Sequence, residues 1–375
     1  PAPVAACRTA ATRRGLSSGH GELLAYVDVL RQPGPHAMQV LVTGANGHLG
    51  TNLVCALLAA GHSVRGSVRS LDPSRTRRLK ALGPVELVAA TLEDRASLRA
   101  AMDGMDAVLH TAAVYELYAP GREQAIVDAS VKGIEAAFRA ARDARVRKVV
   151  LTSSVVTLPL TAPGAPPVTE EMWTADLRVP YIRAKTLGER HAWDLAADLG
   201  LDLASVLPGA FGGPGFGRPT PTIELIEAIA KGAMALAAPP YNYPYCDVRD
   251  VAAAHLTVLE HDARGRYIAC NDEHPTLAAL AHEMHAIDAS VRAPFLTVPP
   301  SLTPILPWLD GLNSWMNDRP RAMTPELAET LRGRIWNPSN AKLERELGWR
   351  PRIGLRQSLA DTLEALRRPV EVPVG

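Results

Sequence analysis

From about residue 39 to residue 207 the chain alternates short runs of aliphatic and β-branched residues with longer amphipathic ones. The short runs predict strands at 39–43, 63–68, 85–89, 107–111, 148–153 and 203–207, and the longer ones predict helices at 49–60, 95–102, 122–144 and 181–199. The strands are apolar at nearly every position rather than at every second one, so both of their faces must be covered. That requires parallel strands with helices on either side, and the pattern predicts an α/β fold built on a doubly wound parallel sheet.

The flanks read differently. Residues 1–37 show no period and end in the breaker run Gln32-Pro33-Gly34-Pro35, whereas Met38 leads directly into the first strand. They are expected to be a leader outside the fold, with residues 38–209 forming the sheet domain. Past Gly209 the alternation breaks down, Pro and Gly become frequent, and Trp308, Trp315, Trp336 and Trp349 gather. Residues 210–368 read mainly as a smaller C-terminal α/β substrate-binding lobe over the strand ends, with some segments returning to the sheet domain, and 369–375 as a tail.

Composition narrows the function classes. Forty Lys and Arg against 39 Asp and Glu leave a net charge of +1, which argues against nucleic acid as a partner. With 47% hydrophobic and 21% charged residues the chain has ample core for a globular fold. It contains no apolar run of the ~18 residues that a membrane span needs, so a soluble protein is expected. Cys7, Cys55, Cys246 and Cys270 are far apart and form no CxxC pair, which points away from a metal site and toward a reducing, cytoplasmic setting.

Candidate chemistry starts at the turn after the first strand. Thr43-Gly44-Ala45-Asn46-Gly47-His48-Leu49-Gly50 places Gly44, Gly47 and Gly50 between a strand and an apolar helix. Glycines there permit the tight turn and let backbone N–H groups approach a pyrophosphate at the helix N-terminus, so Gly44, Asn46, Gly47, His48, Leu49 and Gly50 are expected to bind a dinucleotide. Nineteen residues past Gly50, where a carboxylate would hold the ribose of NAD, stands Arg69, followed by Arg75, Arg77, Arg78 and Lys80 in what reads as a basic loop. A guanidinium suits the 2′-phosphate of NADP, which favours NADP over NAD.

The sequence Tyr181-Ile182-Arg183-Ala184-Lys185 sets Tyr181 and Lys185 four apart on a predicted helix, hence on one face. Only six residues of the chain are Lys. A neighbouring ammonium favours the phenolate and brings a tyrosine toward acid–base work at neutral pH. The preceding strand ends in Thr152-Ser153-Ser154, and a hydroxyl at that edge can orient a reacting oxygen.

Taken together these residues resemble an extended short-chain dehydrogenase/reductase of the NAD-dependent epimerase/dehydratase family, dihydroflavonol 4-reductase-like. The resemblance rests on Val40–Gly50, Val108–Ala113 (VLHTAA), Val149–Ser154 (VVLTSS), Tyr181–Lys185, Leu207–Gly215 (LPGAFGGPG), Asp247–His255 (DVRDVAAAH) and Glu346–Arg352 (ELGWRPR). It implies a Rossmann-type fold, Tyr181 as the acid–base residue, Lys185 on the nicotinamide ribose, and Ser154 on the substrate carbonyl with Ser153 as the alternative. It also implies that Ala112 and Ala113 line the cofactor, that Pro208 lies near the nicotinamide, and that Arg69 takes the 2′-phosphate. Thr91-Leu92 replaces the Asp-Leu common in relatives, so Leu92 is expected to meet the adenine without a carboxylate. Ser130 stands where many relatives carry an Asn.

The implied activity is an NADP(H)-dependent oxidoreductase reducing the carbonyl, an aldehyde or ketone, of a small organic substrate. Alternatives are a nucleotide-sugar epimerase or dehydratase with bound NAD, a 3β-hydroxysteroid dehydrogenase-like enzyme, and a non-catalytic NADP-sensing protein. Relatives suggest a homodimer through the helices at 122–144 and 181–199. Elsewhere, His282 and His285 lack the HExxH spacing and read as surface or packing residues. Tyr241, Tyr243 and Tyr245 alternate as either a pocket wall or a half-buried strand face, Tyr115 and Tyr118 face the same choice, and the four late tryptophans read as packing.

Overall fold

The structure, a computed structural model, describes residues 37–112, 121–317 and 323–367. Residues 1–36, Ala113, Tyr115, Tyr118 and the tail therefore lie outside the described residues. Seven strands form one sheet: β1 (Gln39–Thr43), β2 (Ser63–Val68), β3 (Val85–Ala89), β4 (Ala107–His110), β5 (Lys148–Thr152), β6 (Asp202–Pro208) and, far along the chain, the strand Gly265–Ala269. Their spatial order is β3, β2, β1, β4, β5, β6 and then Gly265–Ala269, with every pairing parallel.

The helices show why β1 is apolar on both faces. Val40 and Val42 of β1 enter one hydrophobic cluster and Leu41 enters another, on the opposite face. The first face is covered by α1 (His48–Ala60); the second by α3 (Arg95–Met102), α4 (Glu123–Asp143) and α5 (Pro180–Leu199), all packed on apolar side chains. Between β2 and β3 lies α2 (Pro73–Leu82), so the basic segment expected as a loop is a helix. Its start is marked by Asp72, whose carboxylate accepts from the Ser74 N–H at 2.9 Å, with Pro73 in the first turn. Only Thr76, Leu79 and Leu82 of it are buried, too sparse a stripe to stand out among its arginines.

Past Gly209 the chain leaves the sheet and then returns. The remaining elements are β7 (Ala210–Gly212), α6 (Pro221–Ala230), β8 (Ala237–Ala238), β9 (Tyr245–Asp247), α7 (Val248–Glu260), β10 (Gly265–Ala269), α8 (Leu277–Ile287), β11 (Leu296–Thr297), α9 (Leu306–Asn317), α10 (Pro325–Leu331), α11 (Ala341–Leu347) and α12 (Leu355–Arg367). Helix α7 completes the face begun by α1, contributing Val248, Val251, Ala252 and Leu256 to the same core. A separate small core joins α6, α8 and α12 through Ile226, Ile229, Leu280, Met284, Leu359 and Leu363. Tyr245 lies in that core with its hydroxyl 2.9 Å from Ser358 Oγ, which makes it a packing residue, not a pocket wall. Trp349 is buried and donates to the Asp250 carbonyl, whereas Trp308 is 66% exposed, against the expectation that it packs. The side chain of Trp315 is outside the described residues.

Candidate active site

The strand order reverses direction of growth at β1 and β4, and the carboxyl ends of these two strands flank the crevice where open α/β sheets bind ligands. The glycine turn lies on one side of it. Gly44 has φ +65°, and a Cβ on Gly50 would stand 2.3 Å from the Gly44 carbonyl oxygen, so only glycine lets the turn close on its helix. The tip, Asn46 and Gly47, is exposed, and no side chain caps the first turn of α1. An uncapped helix N-terminus whose turn lacks side-chain bulk fits a pyrophosphate. The His48 imidazole is not free to join in: its Nε2 donates to the carbonyls of Gly213 (3.2 Å) and Pro214 (3.1 Å), and burial holds its pKa down to about 4. Leu49 is buried in the core. Both can serve an anion only through their backbone N–H groups.

At the end of β2, Arg69 is exposed. The acid nearest in sequence, Asp72, is committed to capping α2: it accepts from the Ser74 N–H and from Ser74 Oγ at 2.8 Å, and these bonds hold its carboxyl below the usual range. Arg78, on α2, donates to the Phe216 carbonyl and ties that helix to the 213–216 loop.

A cleft opens between the ends of β4 and β5 and the helices α4 and α5. Its wall takes Leu92, Ala112, Ser130, Thr152, Ser153 and Lys185 from the residues named by the sequence, Ser153 being the alternative to Ser154, together with His110 and Glu189. Ser154, Tyr181 and Pro208 are not among its lining residues. Ser154 caps the short 3₁₀ turn Val155–Thr157, accepting from the Val156 N–H at 3.3 Å; Tyr181 lies in the first turn of α5; Pro208 is the buried last residue of β6. Leu92 packs on Gly133 of α4, where a Cβ would come within 3.1 Å of it.

Lys185, one helical turn after Tyr181, is partly buried, and burial pulls its ammonium down to about 8, with Glu189 opposing the shift. His110 forms part of the floor. Thr43 Oγ1 accepts from the N–H groups of Thr111 and Ala112, both at 3.1 Å, so its own proton is directed at His110 Nδ1, 3.0 Å away. Burial and the Lys185 charge hold His110 down to about 4, leaving it neutral. Sequence reasoning missed His110, Glu189 and Arg266. Glu189 had a signal, because it continues the four-residue spacing of Tyr181 and Lys185 along one face of α5.

Residues 40–270 match the model of the NAD dependent epimerase/dehydratase family. The chain belongs to that family. Its relatives place it among the extended short-chain dehydrogenases/reductases. It is 36% identical to sterol demethylase protein B of Methylococcus capsulatus over 268 residues, covering 71% of this chain and 79% of that one. It is 34% identical to dihydroflavonol 4-reductase of Zea mays over 263 residues, 64% of this chain and 72% of that one. Among solved structures, that of gox2253 superposes with a TM-score of 0.75 at 28% identity, covering 88% of this chain and 97% of that one. The fold and the oxidoreductase character of this family member follow from these matches. Among the described residues no group of His, Cys, Asp and Glu could hold a metal, and no helix is long and apolar enough to cross a membrane.

Proposed function

We propose that the protein is an NADP(H)-dependent reductase that acts on an aldehyde or ketone of a small organic substrate through Ser154, Tyr181 and Lys185. The observation that carries this reading is that Lys185, one helical turn after Tyr181 on α5, lines the cleft together with Ser153 at the end of β5. The glycine turn would hold the pyrophosphate, Arg69 the 2′-phosphate, and Leu92 and Ala112 the walls around the cofactor. The nicotinamide, when bound, supplies the hydride. Ser154 donates a hydrogen bond to the carbonyl oxygen, and Tyr181 gives that oxygen its proton as negative charge develops. Lys185, as an ammonium, draws the tyrosine pKa down toward neutrality.

The test is NADPH consumption over a panel of aldehydes and ketones. Tyr181→Phe is expected to lower kcat by roughly 10²–10⁴-fold, and undiminished turnover would sink the mechanism. Arg69→Ala should raise KM for NADPH by about 10–100-fold with little change for NADH, the scale of one charge-assisted contact. Equal effects on both cofactors would refute the 2′-phosphate assignment. The sterol demethylase relative favours a second reading, oxidation of a 3β-hydroxysteroid-like alcohol at the same site. Reduction of NADP⁺ with a sterol alcohol, without activity on simple carbonyls, would select it.

A further inference from the structure

Beneath the cleft lies a buried polar network that the reaction as described does not use. Its centre is Glu189, whose side chain is 1% exposed. One carboxylate oxygen accepts from Ser153 Oγ at 2.6 Å; the other accepts from Ser205 Oγ at 2.6 Å and from Arg266 Nε at 3.0 Å. Arg266 comes from β10, the edge strand contributed by the returning chain, and its guanidinium stacks 3.6 Å from the centre of the Trp173 ring. Its Nη2 donates to Thr157 Oγ1 at 2.8 Å, and that hydroxyl donates to the Ser154 carbonyl at 2.9 Å. Glu189 thus reaches Ser153 directly and the backbone of Ser154 through two further residues. One helical turn back along the same face is Lys185.

We propose that Glu189 is a positioning residue: its buried carboxylate, balanced by Arg266, fixes the Ser153-Ser154 strand end and the Lys185 ammonium relative to each other. This rests on the reductase reading above and assigns the two serines different tasks. Ser153 has a single hydroxyl proton, which goes to Glu189. The Ser154 hydroxyl accepts from Val156 and has no protein acceptor for its own proton among the described residues. Ser154 is therefore the donor left for a substrate oxygen, and Ser153 the anchor.

Among the described residues, the cleft and helix α5 set few titratable groups near Lys185. They are Glu189 on α5 and the neutral His110 on β4, with Arg266 behind Glu189 and Tyr181 one helical turn before Lys185. Ser130, Thr152 and Ser153 complete the wall without charge. Removing the Glu189 charge takes away the influence that keeps Lys185 protonated against its burial.

Glu189→Gln keeps the shape and an acceptor while removing the charge. In the cofactor-free protein, competitive acetylation of Lys185 across pH, read by mass spectrometry, should show its pKa lowered by about one unit. In the assay, kcat should fall about 10-fold or more with the carbonyl KM nearly unchanged, and the alkaline limb of the kcat profile should move to lower pH. Ser154→Ala should lower kcat far more than Ser153→Ala. An unchanged Lys185 pKa and pH profile in folded Glu189→Gln, or the reverse order of the serines, would overturn the proposal. If Glu189→Gln fails to fold, Glu189→Gln/Arg266→Gln removes both charges and is read by the same two measurements. A shifted Lys185 pKa in a protein that reduces no carbonyl would count against the reductase reading and leave the positioning role standing.

Discussion

The part of the molecule before Gly209 and the part after it are built on different ranges of contact. Before Gly209 each strand lies beside one contributed by a neighbouring stretch of chain, as in the pairing of β1 with β2 and of β2 with β3, and the intervening helix covers the pair. After it, short strands find partners far away: Ala237 pairs with Leu296, and isolated bridges join Thr161 to Ile335 and Val168 to Pro338. A local unit needs a periodic apolar pattern to fold against its neighbour. A segment held by distant partners needs only two or three well-placed residues.

Four changes would break or sharpen this contrast. The largest effect is expected at Arg249, buried at the start of α7, which pairs with Asp247 (2.7 Å) and with Asp361 of α12. Arg249→Ala leaves two buried carboxylates without their cation and should cost about 3–5 kcal/mol in urea unfolding. A loss below 1 kcal/mol would show that long-range ion pairs do not hold the later part together.

Next come the buried histidines that join the two parts. His255 of α7 accepts from Thr152 Oγ1 of β5 at 2.8 Å and donates through Nδ1 to the Val251 carbonyl. Burial lowers its pKa to about 4, so its contribution is complete above pH 6.5 and is lost as pH falls from 6.5 through 4. Between pH 7 and 4.5 this is about 2–3 kcal/mol, and His255→Gln should flatten the pH dependence of the urea midpoint by that amount. A wild-type slope in the variant would refute the linkage.

Within the local part, Gly50→Ala drives a methyl against the Gly44 carbonyl oxygen and should cost about 1–3 kcal/mol and weaken cofactor binding, measurable by thermal shift and cofactor titration. Unaltered binding would show that the turn does not need its third glycine. The smallest effect belongs to Trp308→Ser, expected to change stability by less than about 0.5 kcal/mol because the ring is 66% exposed. A larger loss would mean that this tryptophan packs as the sequence suggested.

The same contrast governs what was legible. Strands β1, β2 and β3 and helix α3 were readable to the residue, since they are short runs bounded by turn residues that meet neighbours close in sequence. Helix α2 was read as a loop because three buried residues among arginines carry little periodic signal, although its Asp-Pro start was there to be seen. Between residues 295 and 312 the period is lost for another reason. Phe295, Leu296, Leu302, Ile305, Trp308, Leu309 and Leu312 are apolar and exposed, so hydrophobicity there no longer separates inside from outside.

The sequence by itself determined the doubly wound sheet, the glycine turn, the Tyr181 and Lys185 pair and the serine-bearing strand end, because each depends on residues within a turn or two of one another. Tertiary structure alone decided that β10 closes the sheet edge, that His48 turns toward the 213–214 carbonyls, and that Glu189 meets Ser153, Ser205 and Arg266. These groups lie up to 166 residues apart, and no local period records them. A buried polar group needs partners that complete its hydrogen bonds, and only the folded chain supplies them.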